Sequence, residues 1–151
     1  MSLKIPTRTW VLIGDGEKAI VLRNAGDEEY LNLVVERVLE HENPPTREQG
    51  SDRPGRHADA PVPGSDQRSA FEEADWHRLE KTRFAGEIAK RLYKLAHQGR
   101  FDRLVVVAPP QTLGDLRRTF HDEVKRRIIG ELDKSLTHHP VWEIERHLQR
   151  G

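Results

Sequence analysis

Arg100-Phe101-Asp102-Arg103-Leu104-Val105-Val106-Val107-Ala108-Pro109-Pro110-Gln111-Thr112-Leu113-Gly114-Asp115-Leu116 is the stretch whose reading decides the fold. Leu104 to Ala108 is an unbroken apolar run rich in valine. A run that short and that β-branched reads as a strand buried on both faces. Pro109 and Pro110 have no ladder donor, so the strand stops there. Thr112 then reads as a helix cap, with Leu113, Leu116, Phe120 and Val124 as the apolar stripe at spacings of three and four. A central strand feeding a helix implies an α/β sheet with helices packed on it.

Composition narrows the class. The chain has 151 residues, enough for a single domain spanning 1–151. Hydrophobic residues make up 35% and charged residues 33%, so the core is small or part of the chain lies outside it. With no cysteine, disulfides, zinc–thiolate sites and cysteine nucleophiles are excluded. No apolar run reaches membrane-spanning length and no signal-peptide core is visible, so a soluble cytoplasmic protein with no membrane partner is expected. Formal net charge is zero, with 25 basic and 25 acidic side chains. Bulk electrostatics therefore neither demands nor forbids a nucleic-acid partner.

Outward from the central strand the chain reads in order. Thr9 to Ile13 and Lys18 to Arg23 flank the turn Gly14-Asp15-Gly16 as a hairpin. Tyr30 to Leu39 alternates apolar residues as a third antiparallel strand, with a helix as the alternative for its later part. Residues 43–70 hold five of the nine prolines, Gly50, Gly55 and Gly64, and almost no large apolar side chain. Such a segment cannot offset its ordering entropy and reads as a long mobile loop, either a linker or functional. Phe71 to Gln98 follows as a long helix, capped by Ser69 and ended by Gly99. Ile128 to Asp133 is a fifth strand, weakened by Gly130. Thr137 to Glu143 starts a last helix, with Thr137 as cap and Pro140 in the first turn. The order suits an RNase H-like mixed five-stranded sheet with helices packed on it and a long extended loop.

Few catalytic constellations survive inspection. A metal-dependent nuclease needs several carboxylates converging on divalent ions. Asp15 and Asp102 read more simply as turn and loop residues, and no third carboxylate joins them. His138 and His139 are adjacent, so their side chains diverge; the other histidines are scattered and no His-Glu-x-x-His exists. Neither a metal nor an organic cofactor is expected. There is no Gly-x-Ser-x-Gly and no Walker loop. Gly14-Asp15-Gly16 with Ala19 approximates a dinucleotide fingerprint but leads into a strand where a helix is needed. Pro109-Pro110-Gln111 sits where α/β sheets bind ligands, and equally serves as a rigid strand-to-helix connection.

The central stretch, with Leu113-Gly114-Asp115-Leu116-Arg117, resembles the signature of the bacterial host attachment proteins. Trp10 to Gly16, Ser51-Asp52-Arg53-Pro54-Gly55-Arg56, Phe84-Ala85 with Ile88-Ala89, and Asp133-Lys134-Ser135-Leu136-Thr137 fit the same pattern, so the likeness covers nearly the whole chain. That family in turn resembles the middle domain of archaeal and eukaryotic class-1 peptide release factors, which is RNase H-like. In that domain a loop carries Gly-Gly-Gln before a long helix, and the glutamine reaches the peptidyl-tRNA ester. The corresponding place here is Gly64-Ser65-Asp66-Gln67, where Ser65-Asp66 departs from the more permissive glycines. The resemblance implies a translation-associated, RNA-binding module that meets the ribosome or tRNA through its loop and the basic surface of the long helix, which carries Lys81, Arg83, Lys90, Arg91 and Lys94. Gln67 is then the catalytic candidate for assisting ester hydrolysis, and Arg53, Arg56, Arg68 and Gly64 are the RNA-binding candidates. The alternative is a non-enzymatic interaction or regulatory factor that affects attachment to host cells.

Overall fold

The computed structural model describes residues 4–40 and 65–150, with the backbone alone over 65–74. Five strands form one mixed sheet: β1 (Trp10–Gly14), β2 (Lys18–Asn24), β3 (Leu33–Glu40), β4 (Leu104–Ala108) and β5 (Ile128–Asp133). Their spatial order is β3-β2-β1-β4-β5. β1 pairs antiparallel with β2 and β2 antiparallel with β3, while β4 runs parallel to both β1 and β5. The expected α/β class and five-stranded mixed sheet are thus what the chain adopts.

Every residue of β1 and β4 is buried. The pleat sends alternate side chains to opposite faces. Trp10, Leu12, Leu104, Val106 and Ala108 join one core, and Val11, Ile13, Val105 and Val107 the other. Helices α1 (Ser65–His97) and α2 (Pro110–Thr119) and the single turn α3 (Asp122–Lys125) lie over the first face. Helix α4 (Val141–Arg150) covers the second through Ile144 and Leu148, with Ile5, Leu33 and Leu136 beside them. This two-sided cover is why the central run contains no polar residue.

Three helix starts differ from the sequence expectation, and β3 begins at Leu33 where Tyr30 was expected. Helix α1 begins at Ser65, so residues 65–70, assigned to the loop on composition, are helical and Ser69 lies inside the helix. In the sequence, Pro63 and Gly64 are the last helix breakers before this start. Helix α2 is entered directly from Pro109 without a side-chain cap, and Thr112 is a buried interior residue. Its apolar stripe is interrupted at Phe120; Val124 belongs to α3, where His121 Nδ1 accepts from the Glu123 amide at 3.0 Å. Helix α4 begins after Pro140, whose carbonyl accepts from the Glu143 and Ile144 amides, and Thr137 does not cap it. The weak point foreseen at Gly130 is a bulge: Leu104 faces Ile128, but Val105 faces Gly130. Among the described residues no helix is long and apolar enough to cross a membrane.

Candidate functional site

The 33 residues of α1 run about 50 Å. Phe84, Ala85, Ile88, Ala89, Leu92, Leu95 and Ala96 recur at helical spacing and are buried on the sheet. Residues 75–79 and 81–83 are all exposed, so the described part of the N-terminal half carries no buried face. The flank of the C-terminal half beside β3 carries cations. Together with the edge strand β3 it forms a groove of about 870 Å³. Arg37, Lys90, Arg91 and Lys94 stand along it against Glu40 and Glu87, over an apolar floor that includes Val38, Leu39 and Ile88. A concave surface with excess positive charge concentrates anions, phosphate backbones above all.

A second polar cluster closes the C-terminal end of β1. Asp15 Oδ1 accepts from the amides of Glu17 (2.7 Å) and Lys18 (2.8 Å), which shapes the hairpin turn. Its Oδ2 accepts from Thr137 Oγ1 at 2.5 Å, and His138 Nε2 stands 3.9 Å away. Burial pushes the Asp15 carboxyl up, but the Thr137 hydroxyl, the two amides and His138 outweigh it and hold it below the ordinary aspartate value. A side chain at Gly16 would collide with the Lys81 stem. This cluster consumes its own polar atoms and ties the hairpin to the loop before α4. Asp102 precedes the opposite end of β4, which is parallel to β1. More than a strand length, about 23 Å at the strand rise, therefore separates the two aspartates, too far to share a metal.

The candidates from the sequence fall in different places. Gln67 and Arg68 occupy the first turn of α1. Arg53, Arg56 and Gly64 lie outside the described residues. Gln111 is exposed at the start of α2, beside the buried Thr112. The groove was not foreseen as a unit, because Arg37 belongs to β3 and the other cations to α1. One spacing also passed unread: His139, Glu143 and His147 recur every four residues, and their donor atoms all lie within 4.8 Å of one another.

Residues 8–148 match the family model described as bacterial archaeo-eukaryotic release factor family 12. Among solved structures the chain is similar to the crystal structure of an archaeal translation termination factor, aRF1, with a TM-score of 0.46 and 12% identity. That alignment covers 83% of this chain and spans 30% of the archaeal chain. No curated protein matches.

Proposed function

The chain belongs to bacterial archaeo-eukaryotic release factor family 12, and from that premise we propose a translation-associated module that docks on the ribosome or a tRNA-bearing complex. The observation that supports this most is the groove between β3 and α1, where Arg37, Lys90, Arg91 and Lys94 line one cleft. Phosphate contacts of this kind fix position and orientation without reading sequence.

The same α1 carries Gln67 in its first turn, 17 residues before Phe84, the first core side chain among the described residues of α1. At the helical rise that is about 25 Å from the body's anchor. In this reading the groove grips the RNA backbone while Gln67 reaches toward the peptidyl-tRNA ester. Arg53, Arg56 and Arg68 then contact phosphate around Gly64. Gln67 holds the attacking water through its amide and needs neither metal nor cofactor to do so.

Ribosome co-sedimentation tests the docking. Wild type is expected in the ribosomal pellet; the Lys90→Glu/Lys94→Glu pair and a deletion of residues 44–64 are each expected to leave it. Binding indifferent to the double reversal defeats the groove. Release of peptide from peptidyl-tRNA by wild type but not by Gln67→Ala assigns the ester chemistry to Gln67; equal release by both removes it. If wild type never pellets, the interaction or regulatory role implied by the host-attachment resemblance takes precedence.

A further inference from the structure

We propose that His139, Glu143 and His147 form a binding site for one divalent transition metal, with zinc as the fitting ion. The three residues sit at the mouth of α4 on the sheet face opposite α1, away from the groove. His139 is held in the preceding turn by its amide, which donates to the Leu136 carbonyl at 3.1 Å. Glu143 and His147 lie one helical turn apart and so project from the same side of α4. His139 Nδ1 is 3.3 Å from Glu143 Oε2, and the two imidazole rings meet edge-on with centroids 5.5 Å apart.

These distances match what zinc requires. Bonds of about 2.0–2.2 Å in a tetrahedron put neighbouring donor atoms about 3.4 Å apart. One pair already stands at that spacing, and all three donors fall within 4.8 Å. Side-chain rotation alone closes the remainder, since all three residues are only partly buried. Two imidazoles with one carboxylate suit zinc and disfavour magnesium and calcium, which prefer oxygen ligands. Three protein ligands leave a fourth position for water or an anionic group. The ion would also staple the turn at His139 to the second turn of α4, so binding stabilises the fold by mass action.

The competing description is a surface ion pair with a ring contact, which binds no metal stoichiometrically. Calorimetric titration of chelator-stripped protein with Zn²⁺, paired with thermal unfolding, separates the two. Wild type is expected to take up one equivalent and to melt at a higher temperature with zinc present, whereas Mg²⁺ has no effect. His147→Ala and Glu143→Gln, each with an unchanged circular dichroism spectrum, are expected to lose the saturable uptake and the thermal shift. His138→Ala, which removes the imidazole facing Asp15, is expected to keep both. No stoichiometric zinc uptake by wild type overturns the site, and so does uptake that survives in His147→Ala and Glu143→Gln.

Discussion

Asn24 ties four segments together with one amide. Its Nδ2 donates to the carbonyls of Ile5 (2.9 Å), Asp27 (3.2 Å) and Pro6 (3.3 Å), while Oδ1 accepts from the amides of Gly26 (2.9 Å) and Asn32 (3.1 Å). The residue is fully buried, so no water replaces these bonds once they are cut. Orphaned buried groups cost about 1–3 kcal/mol each. Asn24→Ala is therefore expected to destabilise by about 3 kcal/mol or more, read as a lower urea midpoint with an unchanged slope. Asp15 makes a pH-dependent counterpart. Its carboxyl is held below the ordinary value of 3.8 in the folded chain. The unfolded chain thus binds its proton more readily, and the stability this provides is complete above about pH 4 and lost as pH falls through the lowered folded value. Thr137→Val removes the hydroxyl that does most to lower it. The variant is expected to lose about 1–3 kcal/mol at neutral pH and to begin acid unfolding at a higher pH than wild type, with the gap narrowing once Asp15 is protonated. The turn role of Asp15 was legible in the sequence, but its bond to Thr137 was not. Thr137 and Asp15 are 122 positions apart, and no local pattern brings such a pair together.

Elements were legible where local chemistry and burial agree. Leu104 to Ala108 reads as a doubly buried strand and is one, because a run without polar residues fits only a strand covered on both sides. The end of α1 was equally plain. Gly99 sits at φ +72°, its amide donates to the Ala96 carbonyl, and the Arg100 amide reaches back to Leu95. Arg127 locks the same corner by donating to the carbonyls of Ala96, Phe101 and Glu123. Helix starts were less legible. Thr112 and Thr137 have the right chemistry for caps, but Pro109 and Pro140 already set the entry angle, and the threonines are buried in other work. One glycine inside α1 and one just past its end give predictions of opposite sign. Gly86 is in the helix interior, and an added Cβ there meets nothing within 4 Å. Gly86→Ala is expected to stabilise by up to about 1 kcal/mol. Gly99→Ala forces a side chain into the left-handed region and is expected to cost about 1 kcal/mol or slightly more. Differential scanning calorimetry should show melting temperatures moving apart, by about 2–4 °C per kcal/mol for a chain of this size.

At the scale of the whole molecule, a net charge of zero hides a local imbalance. Arg37 comes from an edge strand and Lys90, Arg91 and Lys94 from a helix more than fifty positions later, so composition averages them away and only the packing of α1 against β3 assembles the groove. The sequence alone points to the proline-rich segment, whose odd composition is visible without any fold, and to the basic surface of the long helix, but not to Arg37 as its neighbour. The two contributions are separable by salt. Each phosphate a cation neutralises releases counterions, so log binding constant falls linearly with log salt, with a slope of about −0.7 to −0.9 per contact. Lys90→Gln/Lys94→Gln removes two of the groove cations and is expected to flatten the slope for ribosome or tRNA binding by about 1.4–1.8. Deleting residues 44–64 removes Arg47, Arg53 and Arg56 but also Glu48, Asp52 and Asp59. That deletion is expected to weaken binding with a smaller change of slope. Filter binding across a salt series measures both. A slope unchanged by the lysine pair would mean that the phosphate contacts lie elsewhere, and the groove would lose its claim to the RNA.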